Sequence, residues 1–354
     1  VAMNPQTWAQ DVAEIDPGGY LFYDNTKPLP KSKFRDDINV IGMPVTAICN
    51  ATYEDPRQRT LFKNIMVLGA LSVLVDVDGE VVEKLLGEQY KGKERLLESN
   101  VRALQAGRSF AREHLMPHPK GTGGGPGTGL RVKRADAVGQ RIFIDGNSAA
   151  ALGCVYGGAT VCAWYPITPS TSVVEAFAGY CKKLRHDANG HAKYAIVQAE
   201  DELASIGMVT GAGWNGARAF TATSGPGISL MTEFLGLAYF AEIPIVIINV
   251  QRGGPSTGMP TRTQQADLLA CAYASHGDTK HVLLLPQDPH ECFEMSATAF
   301  DLAERLQTPV FVMTDLDIGM NQRLCEPFQW NDDRRYDRGK VLSAAQLEAG
   351  FDFG

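Results

Sequence analysis

The sequence predicts an α/β protein whose second part holds a parallel sheet flanked by helices. Three observations predict it. Strand-like apolar runs alternate with helical stretches from residue 141 onward, the pattern of a parallel sheet wrapped by helices. The run Ile245-Val246-Ile247-Ile248 is continuous and β-branched, as a strand covered on both faces requires. Polar loops rich in Gly, Pro, Ser and Thr follow four of the strands, where open α/β sheets bind ligands.

The elements follow in order. Before residue 116, 40–44 reads as the end of a strand. Residues 58–75 form a helix with a small-residue centre, Gly69-Ala70. Residues 79–86 form a short amphipathic helix. Residues 92–115, with Leu96, Leu97, Val101, Leu104 and Phe110 at helical spacing, form a long surface helix. Next comes a run in which six of the nine residues 121–129 are glycine, read as a flexible tether. The expected organisation is therefore 1–116, a linker over 117–137, and 138–354. In the last part, strands are expected at 141–144, 160–164, 194–197, 217–221, 243–250, 281–285 and 309–313. Helices are expected at 147–156, 170–183, 202–214, 229–240 and 288–305. No internal repeat is present.

Composition narrows the function classes. The 354 residues suffice for two or three domains, and 44% hydrophobic with 21% charged residues is ordinary for a soluble chain. A net charge of −7 argues against a nucleic-acid partner. No apolar run reaches the roughly 18 residues of a membrane helix, and no secretory signal opens the chain. The seven cysteines form no Cys-x-x-Cys pair, which argues against a metal or iron–sulfur site in this chain and against a disulfide framework. A reducing cytoplasm fits best. Val1 at the start and Phe351-Asp352-Phe353-Gly354 at the end lead us to expect a segment of a longer chain.

Four loops carry candidate chemistry. After 160–164 comes Tyr165-Pro166-Ile167-Thr168-Pro169-Ser170, whose prolines stiffen the loop. It presents the Thr168 hydroxyl at a strand end, or it is a proline-punctuated helix start capped by Ser170. After 194–197 comes Gln198-Ala199-Glu200-Asp201-Glu202. Three acids there suit a helix N-terminus, and one could instead exchange a proton with a ligand's ring nitrogen. After 217–221 comes Thr221-Ala222-Thr223-Ser224-Gly225-Pro226-Gly227, a tight turn or a place of close ligand approach; it is not a Walker loop. After 243–250 comes Gln251-Arg252-Gly253-Gly254-Pro255-Ser256-Thr257-Gly258, then Arg262. An arginine directly behind a buried strand suits a carboxylate or phosphate. His276 and His281 read as structural.

These loops, in order and spacing and together with Gly146-Asn147-Ser148-Ala149-Ala150, resemble the α component of the 2-oxoacid:ferredoxin oxidoreductases. The earlier part is similar to that family's γ domain in Ile38-Asn39-Val40, in Asn64-Ile65-Met66-Val67-Leu68-Gly69-Ala70 and in Glu98-Ser99-Asn100-Val101-Arg102-Ala103-Leu104. The resemblance implies a partial α/β γ domain over 1–116, then a pyrimidine-type domain of a thiamine diphosphate enzyme over 138–354. A γ domain ahead of α is the arrangement of the 2-oxoglutarate enzymes, so the implied reaction is 2-oxoglutarate plus coenzyme A plus oxidised ferredoxin to succinyl-CoA, CO₂ and reduced ferredoxin. Pyruvate or a branched-chain 2-oxoacid is the alternative.

By the same resemblance, Glu200 would hydrogen-bond the aminopyrimidine, with Glu202 as fallback. Thr168 would face substrate and cofactor. Tyr165, Pro166, Ile167, Ser224 and Gly225 would line the cofactor. Arg252 would pair with the substrate carboxylate, and Ser256, Thr257 and Arg262 would reach its far end. No Gly-Asp-Gly diphosphate motif and no cluster cysteines are present, so the resemblance puts Mg²⁺ and the [4Fe-4S] cluster on a β subunit in an (αβ)₂ assembly. This chain would then be active only with that subunit, with ferredoxin as electron acceptor. Two further readings stand beside it: the pyrimidine domain of another thiamine enzyme, disfavoured by the γ-like unit, and a non-catalytic α/β binding module.

Overall fold

The computed structural model describes residues 1–4, 6–117, 124–133 and 136–350. It divides into two compact units, Val1–Ala135 and Asp136–Gly354. The first contains α1 (Trp8–Ala13), β1 (Tyr20–Asp24), β2 (Asn39–Met43), α2 (Val45–Thr52), α3 (Pro56–Leu74), α4 (Gly79–Gln89) and α5 (Glu94–Phe110). Strands β1 and β2 pair in parallel, Tyr20 opposite Asn39. Asp55 accepts from the Arg57 N–H and Pro56 opens α3, so the helix starts where proline lacks only a hydrogen bond the first turn never makes.

Helix α5 exposes one charged face and packs the other closely against α3. A Cβ at Gly69 would lie 2.1 Å from the Leu104 carbonyl oxygen, and one at Gly107 would lie 1.9 Å from that of Met66. The two helices thus cross almost backbone to backbone, which only glycine allows. Ala103 and Leu104 are fully buried there. Buried Arg108 is satisfied by Glu83 at 2.6 Å, the Gly79 carbonyl at 3.1 Å and Ser72 Oγ at 3.2 Å.

The glycine-rich run departs from expectation. From 124 onward it packs on the first unit. The Gly127 N–H donates to the Leu115 carbonyl at 2.9 Å, the Val132 N–H to that of Val75 at 2.8 Å, and buried Thr128 Oγ1 to that of Leu74. A Cβ at Gly125 would come within 2.6 Å of the Leu115 carbonyl oxygen, so glycine here permits contact rather than freedom. The break between units falls at 135/136, inside the expected linker over 117–137. The expected linker's residues 118–123 and 134–135 lie outside the described residues.

The second unit contains β3 (Ile142–Ile144), α6 (Gly146–Tyr156), β4 (Val161–Trp164), α7 (Thr171–Leu184), β5 (Ala195–Gln198), α8 (Glu202–Trp214), β6 (Ala219–Thr223) and α9 (Gly225–Phe240). It continues with β7 (Val246–Gln251), α10 (Leu268–Ala272), β8 (Val282–Leu284), α11 (Pro289–Leu306), β9 (Val310–Asp315), α12 (Leu316–Met320), β10 (Arg323–Cys325) and α13 (Ala344–Glu348). Six strands form one parallel sheet in the order β5-β4-β6-β7-β9-β8. Separate apolar cores include Phe177, Phe220 and Ile248 in one cluster and Ile206, Ile247 and Phe311 in another. Successive residues Ile247 and Ile248 point to opposite faces, so both faces are covered.

One expected strand lies elsewhere: β3 pairs antiparallel with β10 in a separate ribbon, Phe143 opposite Leu324. Helix α9 begins at Gly225, earlier than expected, because Pro226 sits in its first turn, where proline is tolerated. Among the described residues, no helix is long and apolar enough to cross a membrane.

The strand order reverses at β4, whose neighbours are β5 on one side and β6 on the other. Strand β4 pairs with β5 along Val161–Trp164 but with β6 only through Val161 and Cys162. The ladder therefore opens toward the carboxyl ends of β4 and β6. A crevice at such a reversal is the standard ligand position of open α/β sheets.

Candidate active site

The loop after β4 is organised from beneath. Buried Asn147, in the first turn of α6, donates through Nδ2 to the Pro169 carbonyl at 2.9 Å and to Ser172 Oγ at 2.8 Å. The Ile167 N–H donates to Thr171 Oγ1 at 3.1 Å, and the Ile167 carbonyl accepts from Ser170 Oγ at 3.0 Å. Ser170 does stand at the N-cap of α7, but its side chain makes no capping bond, because its hydroxyl turns back to Ile167. Tyr165, Pro166 and Thr168 remain exposed, and Ile167 is half-buried.

The three acids after β5 separate into three environments. Asp201 Oδ1 caps α8, accepting from the Ala204 N–H at 2.6 Å. Glu202 is buried, with its Cγ against Gly227. Glu200 is exposed at the carboxyl end of β5. It follows Ala199, whose N–H donates to the Trp164 carbonyl at 2.8 Å, so Glu200 and the 165–168 loop leave adjacent strands side by side.

Ser224 is fully buried, and its Oγ has no partner among the described residues. A Cβ at Gly225 would meet the Asp267 carboxylate oxygens at 2.9 and 3.0 Å. A Cβ at Gly227 would lie 2.0 Å from Thr223 Oγ1 and 2.7 Å from Glu202 Cγ. The small residues that could have admitted a ligand thus admit the chain's own Thr223, Glu202 and Asp267.

Arg252 ties the site together. It follows β7 and is 5% exposed. Its Nη1 donates to the Thr168 carbonyl at 2.6 Å and its Nη2 to the Thr257 carbonyl at 2.7 Å. Its Nε is buried without a partner. Burial pulls the guanidinium below its ordinary value, while Glu202 and Asp267 act in the opposite sense, and it stays charged.

The rest of that loop folds back on its own root. The Met259 N–H donates to the Gly253 carbonyl, and the Gly253 N–H to the Arg262 carbonyl, both at 2.7 Å. Gly258 has φ +61°, and a Cβ there would strike the Gly253 carbonyl oxygen at 1.8 Å. Ser256, Thr257 and Arg262 lie in the exposed stretch 255–266, and the Arg262 guanidinium makes no hydrogen bond or ion pair among the described residues.

Sequence reasoning missed three side chains. Asn249 Nδ2 donates to Asp267 Oδ2 at 3.1 Å, Gln251 Oε1 accepts from the Asp267 N–H at 3.1 Å, and Gln251 Nε2 donates to the Thr314 carbonyl at 3.1 Å. Burial pushes the Asp267 carboxyl up, against the Asn249 bond and the Arg252 charge. The signal was present in β7, whose apolar run carries two amides, Asn249 and Gln251, at alternate positions.

A cavity of about 600 Å³ in the first unit is lined by Trp8, Tyr23, Asp24, Lys27, Lys33 and Lys63 among others. No group of three or more His, Cys, Asp or Glu side chains placed to hold a metal occurs among the described residues.

Both units match known protein families. The family described as "Pyruvate flavodoxin/ferredoxin oxidoreductase, thiamine diP-bdg" matches residues 152–334, and "Pyruvate ferredoxin/flavodoxin oxidoreductase" matches residues 1–110. The α subunit of 2-oxoacid:ferredoxin oxidoreductase 1 from Aeropyrum pernix is 36% identical over 316 residues, 87% of this chain and 47% of that relative. The 2-oxoglutarate synthase subunit KorA of Methanocaldococcus jannaschii is 45% identical over 177 residues, 50% of this chain and 46% of the relative. A solved 2-oxoglutarate:ferredoxin oxidoreductase from Magnetococcus marinus, with 2-oxoglutarate, coenzyme A and succinyl-CoA bound, superposes with a TM-score of 0.75 at 30% identity, over 97% of this chain and 56% of that one. The chain spans about half the length of the curated relatives it matches. With a family match over more than half of its residues and a solved neighbour over nearly all of them, the chain belongs to the pyruvate flavodoxin/ferredoxin oxidoreductase family and carries that family's thiamine diphosphate-binding domain.

Proposed function

We propose that this chain is the α subunit, with its γ-type domain ahead of it, of a 2-oxoacid:ferredoxin oxidoreductase that converts 2-oxoglutarate and coenzyme A to succinyl-CoA and CO₂ with reduction of ferredoxin. One observation carries the reading: exposed Glu200 stands beside the 165–168 loop at the strand reversal, and Arg252 fastens that loop to its own. The KorA relatives and the 2-oxoglutarate-bound neighbour favour 2-oxoglutarate over pyruvate.

The residues fit the pyrimidine half of thiamine diphosphate. An acceptor carboxylate, a stiffened apolar loop and a splayed strand pair supply what a flat aminopyrimidine needs: a proton partner, an apolar wall and room. The cofactor, when bound, supplies the carbon nucleophile that attacks the 2-oxo carbon. Glu200 holds and returns a proton at the pyrimidine ring nitrogen, with buried Glu202 the substitute should that assignment fail. Tyr165, Pro166 and Ile167 would hold the ring, and the Thr168 hydroxyl would face substrate and cofactor. Ser224 and Gly225 line the cofactor from the start of α9. Arg252 orients the substrate carboxylate through the N–H groups beyond its two carbonyl bonds. Ser256, Thr257 and Arg262 reach toward the far carboxylate, as an exposed loop with a free guanidinium would.

Glu200, Tyr165, Pro166 and Thr168 are exposed, and in this reading a second chain covers them. We assign it to a β subunit in an (αβ)₂ assembly that holds the diphosphate with Mg²⁺ and the [4Fe-4S] cluster, and we place the assembly in the cytoplasm. The test is coexpression with the β subunit and assay of ferredoxin or viologen reduction over a panel of 2-oxoacids with coenzyme A. Activity with 2-oxoglutarate above pyruvate and branched-chain 2-oxoacids is expected. Preference for another 2-oxoacid would revise the substrate. No reduction with any of them would end the enzyme reading in favour of a non-catalytic binding module.

A further inference from the structure

We propose that Asp267 is a positioning residue that sets both the placement and the electrostatic balance of Arg252, and so governs how tightly the site takes an anionic 2-oxoacid. The proposal rests on the functional reading above.

The geometry begins with an oddity. Asp267 stands at the N-cap of α10, yet its carboxylate makes no capping bond to that helix. It turns instead to Asn249 Nδ2 and lies against Gly225, at the first turn of α9. Its own N–H is bound to Gln251 Oε1. Asp267 therefore ties the far root of the 252–266 loop to the strand from which the loop departs, while Arg252 occupies the near root. Fixing both roots leaves the tip free and the guanidinium held toward Thr168.

Charge acts beside this tie. Asp267 and Glu202 both act electrostatically on Arg252, yet neither is among its hydrogen-bond or ion-pair partners. With all three ionised, the cluster carries one net negative charge. An arriving 2-oxoacid is itself an anion, so that surplus opposes its binding. Cys271 faces Asp267 from α10, and burial pushes its thiol up to about 12, so it adds no charge near neutral pH. Asn249 and Gln251 from β7 and Gly225 from α9 are uncharged. Protonation of Asp267, which burial favours, would relieve the surplus.

Two substitutions separate the roles. Asp267→Asn keeps the shape and can still accept from Asn249, but removes the charge. Asp267→Ala also removes the side-chain bond from Asn249, leaving only the backbone tie to Gln251. In the assembled enzyme with its β subunit and thiamine diphosphate, the KM for 2-oxoglutarate should fall about three- to fivefold in Asp267→Asn at neutral pH, with kcat nearly unchanged. It should rise in Asp267→Ala. The wild-type KM should fall as pH is lowered from neutral, and the Asp267→Asn KM should vary less. A purely structural role predicts that Asn matches wild type, KM and pH profile alike, and that result overturns the proposal. The wild-type complex in the same assay keeps the two ideas apart: its inactivity would sink the functional reading, whereas its activity with an unresponsive Asp267→Asn would sink only this inference.

Discussion

Arg252 and Thr168 are 84 positions apart in sequence, yet Arg252 Nη1 donates to the Thr168 carbonyl across 2.6 Å. This bond joins the loop after β4 to the loop after β7 over the crevice where the strand order reverses. Both its ends were legible as separate loop residues. The bond was not, because a side chain reaching a backbone carbonyl leaves no periodic trace in a sequence.

Removing this bond should affect both stability and binding. Arg252→Ala deletes two charge-assisted bonds, each of a kind that contributes about 1.5–3 kcal/mol. It should lower kcat/KM for the 2-oxoacid by about 10- to 100-fold in the assembled enzyme. Arg252→Lys keeps the charge but cannot fork to both carbonyls. It should recover only part of the loss. Full recovery by lysine would mean that charge alone matters, and steady-state kinetics on both variants decides it.

Glu200 offers a cleaner separation of folding from chemistry. It is exposed, so Glu200→Gln should change stability by no more than about 0.5 kcal/mol. Turnover should nonetheless fall by about 10²- to 10⁴-fold in the assembled enzyme, the usual range for a lost proton-transfer group. Glu202→Gln is the companion measurement. If it abolished turnover while Glu200→Gln did not, the proton-handling role would pass to the buried acid.

Gly227 tests whether the small residues at the start of α9 serve packing. Gly227→Ala would set a methyl 2.0 Å from Thr223 Oγ1, and overpacking of this kind costs about 1–3 kcal/mol. Gly179, in α7, faces open space, and alanine there should stabilise by up to about 1 kcal/mol through helix propensity. Opposite shifts of the thermal midpoint in the two variants are expected. Equal shifts would show that the crowding at Gly227 relaxes without penalty.

The second unit was legible where local pattern and burial agreed. Helix α8 runs over 202–214, as its spacing predicts, and the continuous β-branched run became the fully buried β7. Legibility failed where a distant partner decides. The three acids at 200–202 are alike in sequence, and only the fold makes one a cap, one buried and one exposed. Gly225-Pro226-Gly227 reads as a loop because glycine and proline are poor helix formers, whereas the packing of Asp267 and Glu202 makes it a helix start. Residues 124–132 read as a tether by composition, and hydrogen bonds to Leu115, Leu74 and Val75 hold them down.

The cysteines give a prediction about pH. All seven are free and buried. Burial pushes the Cys181 thiol up to about 11 and that of Cys271 up to about 12, from an ordinary value of 9.0. Below pH 9 the folded and unfolded chains both hold these protons, and the thiols do not alter the folding balance. Between pH 9 and these raised values the unfolded chain releases protons that the folded one keeps, so stability falls as pH rises through that window. Urea unfolding at pH 8, 9.5 and 10.5 should show midpoints that drop above 9. Substituting Cys181 and Cys271 with alanine should flatten the drop, whatever the change in absolute stability. A midpoint just as steep in the double variant would place the alkaline sensitivity on other groups.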